Sequence, residues 1–350
     1  MFYGGVDLGG ARSRVHVRDA EGSPVFAGWA EDHEKVKSML SKWGKDLCVA
    51  FQATDAAFSL HDLLAPVVGV VRVANPRDLR AIAHARIKND RLDAEKLSEL
   101  NRGDLIPEVW VPPRETRDQR ELLLEQVRVR RSMSAEKVKI KALLRRWGSD
   151  GAFPIPDTIK GIAPALARAL PEGALFVLEG KIERMKWLLK TERRLSREVR
   201  RRIPMGEPER WMASIPGVGS YTARWLVNVI GDVSRFPDAR HVSSYFGLVP
   251  SERSSCNNIR RGGITKTGNR LVRWLFVQCA WAAIRSRKKD PAMPWRAMYE
   301  NLVKRGRGKR RAITAVANHL ARVAYALLRD RRPYESRTLV KKEGVAENKK

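Results

Sequence analysis

Short apolar runs alternate with turn residues through the first hundred positions, and a different rhythm takes over after Pro112. Residues 2–8 and 14–18 are two such runs with Gly9 and Gly10 between them, which predicts a hairpin, and 24–29 supply a third strand. Val36, Met39, Leu40 and Trp43 recur at helical intervals within 31–43. Residues 47–51 read as a buried strand, 56–65 as a helix stopped at Pro66, and 67–73 as a β-branched strand closed by Asn75 and Pro76. Between 114 and 147 there is next to no Gly or Pro, charges are dense, and Leu122, Leu123, Val127, Val129, Val138, Leu143 and Leu144 supply the apolar positions. Residues 173–203 repeat that style beyond a Pro- and Gly-rich stretch at 149–171. The pair predicts long antiparallel helices packed as in a coiled coil. A compact helical region rich in glycine turns follows from Glu207, and 341–350, poor in apolar residues, predict a disordered tail.

Three strands, helix, strand, helix, strand, helix is the order of an RNase H-like layer, although other α/β folds come close to it. The expected organisation is an α/β RNase H-like domain over 1–110, a long helical coiled-coil-like region over 111–205, a mostly α domain over 206–332 and a disordered tail over 333–350. Charge draws the first of these boundaries independently. Residues 1–110 carry 15 basic and 16 acidic side chains, whereas 111–350 carry 53 and 23, and 251–311 alone hold 17 against 3. A net charge of +29 concentrated in this way points to a polyanion, and nucleic acid fits better than an anionic membrane. The bland alternative is solvated helix faces. Mean hydropathy is −0.40, and no apolar run approaches the roughly 20 residues that span a bilayer. The first residues lack the pattern of a secretory signal. Cys48, Cys256 and Cys279 are too scattered for a disulfide framework or a zinc knuckle. A reducing cytoplasm is the expected setting.

Four places could carry chemistry. Asp7 closes the first strand directly before Leu8-Gly9-Gly10, where a carboxylate at a strand end suits Mg²⁺, although alone it reads first as a turn residue. Asp90 and Asp93, three apart, share one helix face, where their repulsion is unfavourable unless a cation relieves it. A solvated helical turn helped by Lys88 and Arg91 is the competing reading. Ile215-Pro216-Gly217-Val218-Gly219-Ser220 matches a helix-hairpin-helix, in which Gly217, Gly219 and Ser220 bring backbone N–H groups to a DNA phosphate; an ordinary helix connection would look similar. Finally, 247–270 is a long polar loop leading into an amphipathic basic helix. It sets hydroxyls beside guanidinium groups, as a nucleophile attacking a phosphodiester requires, but a mobile surface loop would have the same composition.

With these motifs together, about residues 1–330 resemble the insertion-sequence one-ten family of DEDD transposases, bridge-RNA-guided recombinases related to the Piv-type DNA invertases. The resemblance implies a RuvC-like N-terminal domain whose four acids bind Mg²⁺. Asp7 in Val-Asp-Leu-Gly matches the first acid, and Asp90 and Asp93 in Asn-Asp-Arg-Leu-Asp-Ala match the third and fourth. It further implies a C-terminal transposase domain whose serine nucleophile falls on Ser255, flanked by phosphate-binding Arg253, Arg260, Arg261, Lys266, Arg270 and Arg273. Two positions depart from the pattern. Phe51-Gln52-Ala53-Thr54 stands where Glu-Ala-Thr supplies the second acid, so Gln52 keeps an oxygen ligand and loses a charge. Natural variation, a decayed copy and an engineered change all remain open. Cys256 stands where Gly usually follows the serine. The implied partners are double-stranded donor and target DNA, a structured noncoding bridge RNA, and further copies of the chain in a dimer or tetramer whose composite site forms between protomers. The implied setting is a bacterial or archaeal cytoplasm, at the nucleoid. The alternatives are a RuvC-like junction nuclease that uses water, and a decayed transposase that binds nucleic acid without cutting it.

Overall fold

The computed structural model describes residues 1–82, 90–148, 170–252, 261–285 and 294–335. The chain divides into two compact units, Met1–Pro112 and Pro113–Lys350. The first is a mixed α/β sheet with helices, and the second is mostly helical.

In the first unit, β1 (Phe2–Asp7), β2 (Ser13–Arg18), β3 (Pro24–Ala30), β4 (Leu47–Gln52) and β5 (Val70–Ala74) form one sheet in the order β3-β2-β1-β4-β5. The hairpin partners are antiparallel, while β1, β4 and β5 run parallel. Strand parity sorts the side chains. Val6, Val15, Val17, Val49, Phe51 and Val73 bury one face under α1 (His33–Leu40) and α2 (Ala57–Leu64), which contribute Val36, Leu40, Leu60 and Leu64. On the other face, Ala50 and Ala74 meet Leu79 of α3 (Pro76–Ile82) and Leu97 of α4 (Asp90–Arg102). The fifth strand starts later than its β-branched run predicts. The amides of Val67 and Val68 bond the Leu64 carbonyl and finish the turn after α2, and Gly69 lies where a Cβ would strike the Lys45 carbonyl.

In the second unit, α5 (Arg114–Arg146) and α6 (Glu172–Arg202) pack antiparallel. Gln126 Nε2 donates to Ser196 Oγ at 2.6 Å, Arg130 Nη2 meets Glu192 at 2.8 Å, and Lys181 meets the buried Glu136 at 3.3 Å. Burial acts to raise the Glu192 pKa, but its bonds to Ser196, Arg130 and Gln126 outweigh that and hold it below the usual carboxylate range. The further α-helices among the described residues are α7 (Glu207–Ala213), α8 (Ser220–Ile230), α9 (Ala239–Tyr245), α10 (Arg270–Arg285), α11 (Pro294–Lys304) and α12 (Lys309–Asp330). They enclose a core in which Val316, Ala317, Leu320 and Ala324 of α12 meet Phe246, Phe276 and Trp295. The stretch read from sequence as one polar loop contains a short hairpin, β6 (Pro250–Glu252) and β7 (Arg261–Ile264). Among the described residues no helix is long and apolar enough to cross a membrane. The stretch 149–169 and the tail from 336 lie outside the described residues.

Candidate functional site

Asp7 is the last residue of β1 and Gln52 the last of β4. The parallel register pairs Gly5 with Ala50 and Val6 with Phe51, so Asp7 and Gln52 stand side by side at the strand ends, on the same sheet face as Gly5. Glycine at position 5 is what brings α4 to that face. A Cβ there would run into the Ala94 carbonyl oxygen and the Ser98 amide nitrogen. Polar contacts fix the helix direction. Asn101 Nδ2 donates to the carbonyls of Gly4 at 3.1 Å and Cys48 at 2.8 Å, and His16 Nδ1 lies 2.9 Å from Ser98 Oγ. Burial pushes the Cys48 thiol pKa up, so it acts as a neutral donor to Asn101 Oδ1 at 3.2 Å.

Successive turns of α4 thus pass Asn101 beside Gly4, then Ser98 and Ala94 beside Gly5. Its first turn, which carries half-buried Asp93, therefore lies on the side of Ala94 away from Asn101, the direction in which β1 runs toward Asp7. Asp90 is the first residue of the helix, with its side chain outside what the structure describes. Arg14 of β2 pairs with Asp7 across the antiparallel register. Among the described residues no three His, Cys, Asp or Glu side chains gather into a metal-holding group by themselves. Gln52 falls outside those four residue types.

Gly5→Val is expected to cost about 2–3 kcal/mol, the upper part of the overpacking range, because backbone must move. Denaturant unfolding of the full chain reads this directly. An unchanged midpoint would show that α4 does not rest on Gly5.

In the second unit, α7 and α8 are joined by a glycine turn. Gly217 has φ +88°, and a Cβ there would sit 2.5 Å from the Cys279 carbonyl oxygen and 2.6 Å from the Ala283 amide nitrogen of α10. Its backbone is therefore committed to internal packing. Gly219 and exposed Ser220, at the start of α8, face open space. Lys266 and Arg270 are exposed. Arg273 is half-buried and donates to the carbonyls of Thr267 at 2.7 Å and Phe246 at 3.0 Å, which holds the 265–269 turn against the end of α9. Ser255, Arg253, Arg260 and Cys256 lie outside the described residues, as does the side chain of Arg261. The ends of their segment are described: Glu252 pairs with Arg261, and Ser251 Oγ donates to the Gly263 carbonyl at 2.9 Å.

Sequence reasoning missed a cavity of about 590 Å³ between this hairpin and helices α11 and α12, ringed by Arg307, Arg310, Arg311 and Arg322. The run of basic residues from Lys304 to Arg311 is a signal from which its basic rim could have been found.

Comparison with known proteins addresses this second unit most directly. Residues 209–294 match the model of the Transposase IS116/IS110/IS902 family. That span runs from α7 through the glycine turn and the β6–β7 hairpin to the start of α11. A transposase for insertion sequence element IS1111A from Coxiella burnetii is 28% identical over 82% of this chain and 79% of its own length. The pilin gene-inverting protein of Moraxella lacunata is 34% identical over 36% of this chain and 38% of its own. An insertion element IS110 protein of Streptomyces coelicolor is 36% identical over 36% of this chain and 30% of its own. These similarities support a DNA recombinase of the transposase class.

Proposed function

We propose that the chain is an RNA-guided, site-specific DNA recombinase of an insertion sequence, cutting and rejoining double-stranded DNA through a phosphoserine on Ser255. What supports this most is that Asp7 and Gln52 end neighbouring parallel strands and that the helix carrying Asp93 packs on the same sheet face, in a chain with a transposase-family segment. The first unit reads as a RuvC-like domain, and the turn between α7 and α8 as a helix-hairpin-helix that offers the amides near Gly219 and Ser220 to a DNA phosphate.

The donor set of this site is all oxygen, which suits a hard divalent cation such as Mg²⁺. Asp7, Gln52, Asp90 and Asp93 would hold it. When bound, the ion supplies charge neutralisation at a DNA phosphate. The chain's own residues account for the rest. Ser255 Oγ attacks phosphorus and gives up its proton, and the bond to the leaving sugar oxygen breaks, that oxygen taking a proton. Attack by another strand's hydroxyl on the phosphoserine then rejoins DNA and restores the serine. Arginines beside the loop stabilise the added negative charge on the phosphate oxygens. RNA pairing would read sequence while the protein reads backbone and shape. Gln52 favours one second reading, a decayed transposase that binds nucleic acid without cutting it.

Sequencing the nucleic acid that accompanies the purified protein, then titrating salt, tests the guide. A structured RNA is expected, and a footprint of six to ten phosphates should lose on the order of 10³-fold affinity or more between 50 and 200 mM salt. Affinity that barely moves over that range would remove the electrostatic basis for RNA binding. The recombinase chemistry is read separately, by a covalent protein–DNA adduct.

A further inference from the structure

The cavity beside the β6–β7 hairpin belongs to neither the carboxylate cluster nor the glycine turn. One wall is the hairpin itself, including Ile264, and the others are Met298 and Leu302 of α11 and the first half of α12. Its composition is unusual for a groove on a charged protein. The floor is apolar, the rim carries Arg307, Arg310, Arg311 and Arg322, and among the described residues no acidic side chain lines it. At about 590 Å³ it falls within the range of roughly 300–1,000 Å³ typical of small-ligand sites.

We infer that this cavity takes one unstacked nucleotide of a DNA strand, the base on the apolar floor and the flanking phosphates on the arginine rim. A planar, largely apolar body with an anion on either side is the ligand that such a floor and rim complement. Duplex DNA hides its bases in the stack, so the site selects a nucleotide that has left it. His319 supplies the directional group. Its ring packs edge-on against buried Trp295, 5.1 Å between centroids, and the exposed side chain is part of the cavity lining. Partial burial, with Arg322 nearby, lowers its pKa, so the ring favours the neutral form that can donate and accept toward a base edge. DNA is the strand chosen, because the hairpin forming the wall connects directly to residues 253–260, the segment of Ser255. The inference rests on reading that serine as the nucleophile toward DNA.

The test uses the full chain and two DNA duplexes of one sequence, one fully paired and one with a single unpaired 2-aminopurine. Binding is read by anisotropy and unstacking by 2-aminopurine fluorescence. The bulged duplex is expected to bind about tenfold tighter, as stacking and rim contacts to one freed base allow, with fluorescence rising as it binds. Ala315→Trp, which fills the cavity, should bring the ratio of the two affinities close to one. Arg310→Ala with Arg311→Ala changes only exposed side chains, so it remains informative if the Trp variant fails to fold. It should reduce the preference and lower the salt slope by about two. Equal affinity for the two duplexes, or an undiminished preference in Ala315→Trp, would overturn the inference. A bulged RNA duplex that binds as well as the DNA would overturn its assignment to DNA. An adduct on Ser255 without any bulge preference would remove the pocket and leave the recombinase. A preference without an adduct would do the reverse.

Discussion

Ser255→Ala is expected to abolish the covalent protein–DNA adduct, by at least about 10³-fold, while RNA and DNA binding stay near those of the parent. The parent for this experiment is the Gln52→Glu chain, so that a weakened metal site does not mask the result. The size of the effect follows from what is removed. A methyl group cannot form the phosphoester, whereas loss of a positioning contact would only slow it. The competing attachment points are the neighbours on either side. Ser254 has the same chemistry one residue away, and Cys256 offers a thiolate, a soft nucleophile poorly matched to phosphorus. Ser254→Ala should therefore retain the adduct, and phosphopeptide mapping should find the label on Ser255. An adduct that persists in Ser255→Ala moves the nucleophile to a neighbour. Cleavage with no adduct in the parent assigns the cut to water, and the chain becomes a junction nuclease.

Much of the first unit is legible because strand parity and apolar content agree. Val15 and Val17 alternate with polar residues, 47–51 is apolar throughout, and both become sheet interior. The pairing of Asp7 with Gln52 is less visible. It depends on β1 and β4 being parallel neighbours, a long-range fact that no local pattern carries. The role of Gly5 is hidden for another reason. In sequence it adjoins Gly4 in a strand and marks only a position without a side chain to pack, while its use is the approach of α4, some ninety residues later. Where the reading failed, local propensity yielded to a turn or to a short element. Val67 and Val68 have strand propensity but complete the α2 turn. The β6–β7 hairpin has three residues in one strand and four in the other, too few for a period of two to register. The arginine-rimmed cavity joins residues 248–266 to 298–322, and composition could show the basic run but not the apolar floor beside it.

Gln52→Glu is expected to tighten Mg²⁺ binding by on the order of 10–100-fold and to raise DNA cleavage with it, since changes even one shell further from a metal have effects of that size. The carboxamide supplies an oxygen but no charge, so on the proposed reading three carboxylates would serve a divalent ion that also binds a phosphate. The same substitution should act in the opposite direction without metal. A neutral Gln can donate through its amide to a carboxylate beside it, whereas a Glu there repels Asp7. Melting temperature separates the two effects without any activity assay. The Glu variant should melt below the parent in chelator and gain more than the parent as Mg²⁺ is added, because a ligand that binds only the folded state stabilises it in proportion to RT ln(1 + [L]/Kd). The crossing of the two curves is the diagnostic. Parallel Mg²⁺ responses in the two chains would place Gln52 away from the ion. A variant destabilised equally with and without Mg²⁺ would show that position 52 senses its neighbours' charge and that no metal relieves it there.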